Sequence, residues 1–423
     1  MSNVVSNFKE VFSQRITPNL CITCKGSKLL CGKSICPNII KSQSLKKISN
    51  LINKTDFSGS SPPGIFVGRM GYPKVSIGPL IPPFYGDTEI LDTPELWLGK
   101  SIQEIIDYRY SLIRCQSKMH VNIPRSGNKL LDNLQELTMS AGPSDSEVKL
   151  TKKPVGELFF SEESQPFGPS GPLKFLKVDN VKTDKRIEKV YYDRNLKSID
   201  AAINLYSYGV RISKIQKVFS MGMLGVGSRR KLIPTRWSIT AIDDTLSLHL
   251  IKKLKQYPTI DEFKVYYFQN LGNRYIAIFI PEPWKFEWIE AWFPGTPWNP
   301  QKSQEPSLMG DYEPYWGRTT YASVGGCYYS TRFATAEKFV KDRKQASVIM
   351  LREIHPDYIL PIGVWNVRES IRATLSTKPE TFDSLDKAIK YAMKKLTINL
   401  EKWMSKSVLL REILTQKRIS EFI

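Results

Sequence analysis

Four cysteines lie within sixteen residues near the start of the chain, in the string CITCKGSKLLCGKSIC. They are Cys21, Cys24, Cys31 and Cys36, and their spacing is C-x2-C-x6-C-x4-C. Four thiolates this close together satisfy the tetrahedral coordination of Zn²⁺, and the two glycines of the string permit tight turns around the ligands. A disulfide pair and an iron–sulfur cluster are the alternatives. The spacing predicts one zinc per chain. The zinc would be structural, because four cysteine ligands leave no open coordination position.

Length and composition are typical of a globular protein with substantial cores. The chain has 423 residues, enough for two or three domains, and 41% of them are hydrophobic. No apolar run approaches the roughly 18 residues that cross a bilayer. The first residues, MSNVVSNFKEVFSQR, lack the apolar core of a signal peptide. We therefore expect a cytoplasmic protein without a membrane partner, in which thiols stay reduced.

Positive charge is in large excess. The chain has 61 Lys and Arg residues against 41 Asp and Glu residues, which gives a formal net charge of +20. Such an excess attracts polyanions and speeds encounter with them. A solvated basic surface without a polyanionic partner is the alternative.

The composition also changes along the chain. Residues 1–60 hold nine Lys and Arg against only Glu10 and Asp56, and residues 140–185 are rich in Gly, Pro, Ser and Lys. We predict a mixed α+β fold, in which a small N-terminal zinc module is attached to a larger mixed α/β body. Its parts are a basic four-cysteine zinc-binding module (1–58), an N-terminal part of the core (59–140), a boundary or surface excursion (141–185), a C-terminal core domain (186–415) and a short docking tail (416–423).

Periodic patterns predict several elements. Pro and Gly at high density in SGSSPPGIFVGRMGYPKVSIGPLIPPFYGD exclude long helices and favour short strands joined by tight turns. Apolar residues alternate with period two across residues 263–293, and NLGN within that segment matches a hairpin turn. Helices are predicted at 101–115, where Ser101 and Glu104 form a capping box, near 195–218, and at 384–415, where the helix is amphipathic.

A basic stretch without carboxylates lies between Asp200 and Asp243. Within it, GMLGVGSRRK combines glycines with three cations, and such a loop can cradle phosphate, although it is not a Walker motif. A turn whose glycines serve packing is the alternative. Lysines around the cysteines would project from a metal-stiffened module toward phosphates. The predicted DNA-binding residues are Lys25, Lys28, Lys33, Arg229, Arg230, Lys231 and Arg236.

Carboxylates cluster twice, and paired carboxylates can hold Mg²⁺ for phosphodiester hydrolysis. Capping of helices or pairing with the surplus Arg is the commoner use of such groups. The catalytic candidates are Asp87, Glu89 and Asp92, with Glu95 beside them, and Asp243 and Asp244. Only three histidines are present, without the spacing of a catalytic triad or a zinc protease, and His249 falls in an apolar pattern typical of a core residue.

Aromatic residues crowd the segment 284–316. Stacking on unpaired bases is one use of such residues, but alternating Trp and Phe are more typical of the buried face of a sheet. The loop residues Trp298 and Trp316 are the better candidates for exposure.

Several of these strings together resemble the archaeal Nre family of DNA repair proteins. They are the cysteine cluster, SPPGIFVGRMGYPKVSIGPLIPP, GDTEILDTPELWLG and RRKLIPTRWSITAIDD, and the resemblance covers most of the chain. It implies an N-terminal zinc finger, whose ligands would be the four clustered cysteines. In many members of the family, a C-terminal peptide binds the DNA sliding clamp, PCNA.

The last residues, QKRISEFI, are unusually apolar for the end of a chain. Gln416, Ile419 and Phe422 are spaced by three, so one turn of 3₁₀-like helix places them on one side. The tail could pack on its own domain or dock on a partner, and the resemblance favours docking on the clamp. In the family pattern Q-x-x-h-x-x-a-a, Ile423 replaces the second aromatic residue, which should weaken docking without abolishing it.

The sequence therefore predicts a DNA repair factor that binds DNA and is recruited to the sliding clamp. The resemblance does not supply a reaction. A structure-specific nuclease or other DNA-modifying enzyme that uses Mg²⁺ is the first alternative, and an RNA-binding factor is the second.

Overall fold

The computed structural model describes residues 18–125, 127–156, 166–299 and 304–415. Within these ranges the chain forms thirteen α-helices and twelve β-strands in two mixed sheets, and the predicted mixed α and β class is confirmed. The N-terminal half contains α1 (Pro18–Cys24), α2 (Pro37–Ile48), β1 (Asp56–Ser61), β2 (Ile65–Val67), β3 (Lys74–Ile81), α3 (Ile102–Tyr110), β4 (Ile113–His120), α4 (Lys129–Met139), β5 (Ser144–Leu150) and β6 (Ser170–Asp179).

The remaining elements form the C-terminal part. They are α5 (Lys185–Tyr192), α6 (Ser198–Ser207), α7 (Ile212–Ser220), α8 (Thr235–Leu254), β7 (Phe263–Asn270), β8 (Asn273–Ile280), β9 (Lys285–Trp292), β10 (Ser307–Glu313), α9 (Gly326–Asp342), β11 (Ser347–Ile354), α10 (Val364–Ser376), β12 (Glu380–Phe382), α11 (Leu385–Lys395), α12 (Leu400–Lys406) and α13 (Val408–Thr415). No helix in the described ranges is long and apolar enough to cross a membrane.

The first sheet has the strand order β1-β5-β6-β4-β3-β2, and only its β4–β6 pair is parallel. Both β5 and β6 come from the segment 141–185, so the described part of that segment contributes two strands to the sheet. The second sheet has the order β10-β9-β11-β8-β7-β12, and only its β9–β11 pair is parallel.

The second sheet is buried on both faces. Every residue of β11, SVIMLREI, is buried, which is typical of a strand covered on both sides. On one face, Trp284, Phe286 and Trp288 belong to the main core that also includes residues of the first sheet and of α4 to α10. On the other face, α11, α12 and α13 cover Ile289 and Leu351. The alternating Trp and Phe residues are therefore buried on one face of the sheet, which is the more typical role of this pattern.

Two of the predicted elements are confirmed in detail. In the β7–β8 hairpin, Leu271 and Gly272 both have positive φ, of 47° and 72°, as a two-residue turn between twisted strands requires. Ser101 caps α3 in a complete capping box with Glu104. The Pro- and Gly-rich segment forms the short strands β1, β2 and β3, also as predicted.

Three predicted helices have different bounds. The helix at 101–115 ends at Tyr110, because Ile113 to Cys115 pair with β3 and β6 instead. The helix near 195–218 is two helices, separated at Gly209, whose φ is 73°. The segment 384–415 is three short helices, and Asn399 caps the second of them.

Candidate nucleic-acid interface

Three segments without a single Asp or Glu, residues 57–86, 108–131 and 201–242, lie far apart in the sequence. The fold brings them together at one end of the first sheet. Strands β3 and β4 pair along their length, the Leu232 N–H donates to the Val121 carbonyl at 2.8 Å, and the Val67 N–H donates to Thr235 Oγ1 at 2.9 Å. We call the exposed residues at this junction the basic face, and they are Arg69, Tyr72, Lys74, Lys118, Lys231, Arg236 and Trp237.

The register of β3 and β4 decides which side chains reach this face. Lys74 lies opposite His120, and Ser76 lies opposite Lys118. Between these pairs, Val75 and Met119 point to the core, so Lys74 and Lys118 emerge on the solvent side of the sheet. Lys118 Nζ also approaches the turn before β3, because a Cβ atom placed on Gly71 would lie 3.8 Å from it.

Two aromatic rings meet on the basic face. The ring centroids of Tyr72 and Trp237 are 5.3 Å apart, with an angle of 50° between the ring planes. Tyr72 is 50% exposed and Trp237 is 47% exposed. Tyr72 comes from the turn before β3, whereas Trp237 belongs to the first turn of α8. Cations and exposed aromatic rings together are the composition of surfaces that bind unpaired nucleic acid.

The first half of the basic stretch is neutralised by the first acidic cluster. Arg211 forms an ion pair with Glu89, and Lys217 Nζ lies 2.7 Å from a carboxylate oxygen of Asp92. The backbone N–H and the hydroxyl of Ser213 donate to Glu95, each at 2.8 Å. These carboxylates therefore hold α7 against the segment 89–96 and do not face an open cleft.

Lys214 also serves the fold. Its Nζ donates to the Ser140 carbonyl at 2.7 Å, and burial holds its pKa well below the usual value. Asp87, by contrast, is exposed and accepts a hydrogen bond from the N–H of Glu89 at 3.2 Å.

Asp243 and Asp244 are adjacent in the sequence but enter separate networks. Arg368 donates to both carboxylate oxygens of Asp243, at 3.0 and 3.2 Å, and burial raises the pKa of Asp243 to about 6. Arg332 forms an ion pair with Asp244. The two carboxylates therefore pair with arginines, as the commoner use of such groups suggested, and do not converge on a shared site.

The glycine-rich loop brings together residues with different roles. Arg230 is buried; its Nε donates to the Gly225 carbonyl at 2.8 Å, and its guanidinium lies 5.2 Å from the centroid of the Tyr191 ring. A Cβ on Gly222 would lie 2.7 Å from the Lys231 carbonyl oxygen, so this glycine permits close packing. The side chains of Arg229 and Lys231 are exposed on either side of Arg230.

Other residues singled out from the sequence lie elsewhere. Trp316 is 84% exposed, as predicted, whereas Trp298 is half-buried against Trp292. His249 was predicted to be a core residue but is only half-buried, because α8 turns Leu246, Leu250 and Leu254 to the core instead.

The cysteine cluster spans α1, the following loop and the start of α2. Backbone N–H groups of the loop, with that of Leu30 foremost, hydrogen-bond the sulfur of Cys24 and lower its pKa. Burial raises the pKa of Cys21, and the negative charges of Cys36, Cys31 and Cys24 raise it further. N–H donors stabilise the thiolate form of Cys24, and the cysteines would repel one another if all of them were thiolates. A bound cation would neutralise this repulsion.

The four cysteines nevertheless do not converge on one point in this structure. In the described ranges, no group of three or more His, Cys, Asp or Glu side chains forms a set that could hold a metal ion. Positive φ at Gly26 (75°) and Gly32 (70°) provides the tight turns that the sequence suggested. Lys25 and Lys28 are exposed, but Lys33 is buried and its Nζ lies 3.5 Å from the Gly295 carbonyl oxygen.

The docking tail, with Gln416, Ile419, Phe422 and Ile423, lies outside the described residues, which end with α13 at Thr415. Sequence reasoning missed Arg69, Tyr72, Lys118 and Trp237. The signal that could have found them is the absence of carboxylates from residues 57–86 and 108–131, which matches that of the basic stretch.

Two family models match the chain: archaeal Nre, N-terminal, over residues 30–299, and archaeal Nre, C-terminal, over residues 313–422. The chain is 43% identical over 392 residues to a protein of Archaeoglobus fulgidus named DNA repair protein NreB, covering 92% of this chain and 97% of that protein. A second protein of that organism, named DNA repair protein NreA, is 38% identical, covering 89% of this chain and 93% of its own.

A protein of Haloferax volcanii, also named DNA repair protein NreA, is 32% identical to the chain, covering 83% of this chain and 86% of its own. No solved structure matches the chain.

Proposed function

The chain belongs to the archaeal Nre family, and from this premise we propose that it is a DNA repair factor that binds DNA through its basic face and is recruited to the sliding clamp by its docking tail. The observation that carries the proposal is the convergence of the three carboxylate-free segments on one surface. Lys and Arg contacts to phosphates supply most of the affinity of such a surface for DNA.

The basic face is suited to DNA because its cations are not opposed by carboxylates from their own segments. Arg211 and Lys217 form ion pairs with Glu89 and Asp92, and Lys118, Lys231 and Arg236 are exposed on the basic face. The basic face therefore presents several cations on the surface where the three carboxylate-free segments meet. A field of one sign raises the local concentration of a polyanion and accelerates its association.

Zinc and the clamp complete the proposal. A structural zinc bound by Cys21, Cys24, Cys31 and Cys36 would stiffen the N-terminal module and present Lys25 and Lys28 to DNA. The clamp-peptide pattern of residues 416–423 supports recruitment to the clamp, and the names of the relatives support a role in DNA repair.

The salt dependence of DNA binding tests the proposal. We expect the affinity for a labelled duplex to fall steeply with salt, because phosphate contacts release counterions. In the triple variant Lys118→Ala, Lys231→Ala, Arg236→Ala, the slope of log K against log salt should flatten by about one unit for each lost contact. Fluorescence anisotropy at several salt concentrations measures that slope.

The matched control removes the same charge elsewhere. Lys378, Lys390 and Lys394 are exposed lysines in or near α11, the helix that covers the other face of the second sheet. Replacing these three by Ala changes the net charge equally and should leave the slope nearly unchanged. Equal slopes for the two triple variants would show that the binding is a property of total charge and not of the basic face.

A further inference from the structure

We propose that Tyr72 and Trp237 form a stacking platform for an unpaired base of DNA. The proposal rests on the proposed function, because it assumes that the cations of the basic face hold the DNA backbone beside the two rings. It adds to that function the kind of DNA that is recognised, which is a site where a base is unstacked from its neighbours.

The exposure of Trp237 is unusual in this protein. Of the nine tryptophans, all of which the structure describes, Trp237 and Trp316 are the exposed ones, whereas Trp97, Trp284 and Trp288 are almost completely buried. Met70, two residues before Tyr72, is 76% exposed. Apolar side chains of this size are normally buried against other residues, so an exposed group of them indicates a surface that a ligand covers.

The pair is held in place by the elements beneath it. Thr235 Oγ1, two residues before Trp237, accepts the Val67 N–H at 2.9 Å and lies 3.4 Å from Ser220 Oγ. This contact joins the start of α8, which carries Trp237, to the end of β2, from which the chain leads into the turn of Tyr72. Because the platform is already formed, a stacked base would not have to order it, which reduces the entropic cost of binding.

The chemistry of the pair favours an unpaired base over the other ligands. Every base has a π-face that can stack on Trp or Tyr, but in a duplex these faces are covered and only the base edges reach a protein. Arg236 directly precedes Trp237, and Lys118 Nζ lies near the turn that carries Tyr72. An apolar protein segment would have to desolvate these cations, whereas the phosphates that flank an unpaired base would pair with them.

The test compares two DNA duplexes that have the same length and number of phosphates. One contains a single bulged thymidine, and the other contains an abasic residue at the same position. We expect the protein to bind the thymidine bulge about tenfold more tightly. This ratio should not change with salt, because both duplexes release the same number of counterions.

Variants assign the preference to the platform. Trp237→Ala should abolish the tenfold ratio without flattening the salt slope, because an uncharged ring makes no ion pair with phosphate, whereas Trp237→Phe should retain most of the ratio. Trp316→Ala removes an equally large exposed ring from another surface, as a matched control, and should retain all of it. Circular dichroism of each variant verifies the fold.

The outcomes separate this proposal from the proposed function. Normal duplex binding without a preference for the thymidine bulge, or a preference that survives Trp237→Ala, overturns the stacking platform alone. Loss of all salt-dependent DNA binding by the wild type overturns the proposed function. A preference for an RNA strand over the DNA strand of equal sequence, lost in Trp237→Ala, would assign the platform to RNA and overturn the assignment to DNA.

Discussion

Lys217 Nζ lies 2.7 Å from a carboxylate oxygen of Asp92, and this contact joins a basic and an acidic segment that are 125 residues apart. Arg109 donates to the other carboxylate oxygen of Asp92 at 2.8 Å. All three side chains are mostly buried. Two patterns that suggest two functional sites in the sequence are therefore partners in one ion-pair network of the interior.

This network predicts that Asp92 stabilises the fold. Asp92→Asn removes the negative charge and leaves the cations of Lys217 and Arg109 buried without it, which should lower the free energy of unfolding by about 3 kcal/mol. Urea unfolding followed by circular dichroism measures the change. Asp87→Asn, at an exposed position in the same cluster, is the control and should change stability by less than about 0.5 kcal/mol. A stable Asp92→Asn variant that lost a Mg²⁺-dependent cleavage activity would return the cluster to a catalytic role.

A second prediction separates neighbours in the glycine-rich loop. Arg230→Ala should destabilise the protein by about 2 kcal/mol, because it removes a buried guanidinium that bonds to the Gly225 and Asp193 carbonyls and packs on Tyr191. Lys231→Ala should leave the melting temperature almost unchanged and flatten the salt slope of DNA binding by about one unit. Thermal unfolding and anisotropy of the two variants distinguish them. If Arg230→Ala weakens DNA binding without loss of stability, the internal role assigned to it is wrong.

These residues show what the sequence could and could not predict. The local signals were dependable where one segment decides its own structure, as in the capping box of Ser101 and the β7–β8 turn at Gly272. These signals failed where pairing with a distant segment determines the local structure. Residues 113–115 continue a helical pattern but become strand because β3 and β6 pair with them. The same holds for the site. The absence of carboxylates is visible in the sequence of each segment, but the meeting of the three segments on one surface is not.

A third prediction concerns Glu287, whose carboxylate anchors the last described helix. Glu287 lies on β9, is buried, and accepts hydrogen bonds from the Ser407 hydroxyl and from the N–H groups of Val408 and Leu409, at the start of α13. Burial raises its pKa to about 7, against the opposing effect of these donors. Between about pH 4.3, the ordinary pKa of Glu, and about pH 7, Glu287 is therefore protonated in the folded protein and ionised in the unfolded chain.

The sign follows from that difference in bound protons. The stability that Glu287 contributes is fully present below pH 4.3 and is lost as the pH rises through about 7. Between pH 5 and pH 8, the wild type should lose on the order of 2 kcal/mol relative to Glu287→Gln, which cannot ionise. Denaturant unfolding of both proteins at the two pH values gives the difference directly. Parallel pH profiles would mean that the pKa of Glu287 is not raised.

A fourth prediction concerns the metal. The purified protein should contain one zinc per chain, and Cys24→Ser should lower both the zinc content and the stability, because metal binding contributes to the folding of such a module. Cys115→Ser is the control, since Cys115 is buried in the main core, away from the cluster, and its loss should leave the zinc content unchanged. Elemental analysis measures the zinc content, and thermal unfolding measures the stability. A zinc-free wild type of equal stability would exclude a structural zinc.

The last prediction concerns the docking tail. Deleting residues 416–423 should eliminate binding to the sliding clamp and leave the fold and the DNA affinity nearly intact, because α13 ends at Thr415 and is anchored through Glu287. Calorimetry of the full-length and truncated proteins against the clamp measures the first effect, and the anisotropy assay with duplex DNA measures the second.

The binding energy of the tail should be concentrated in a few side chains. Phe422→Ala removes the largest apolar surface and should cost about 2 kcal/mol, a loss of roughly thirtyfold, whereas Ile419→Ala should cost less. Ile423→Phe restores the second aromatic residue of the pattern and should strengthen binding. Lys417→Ala, which the spacing by three predicts to point away from the other side chains, is the control and should change mainly the association rate. If the synthetic octapeptide fails to bind the clamp and the deletion instead destabilises the fold, the tail belongs to the core formed by α11, α12 and α13.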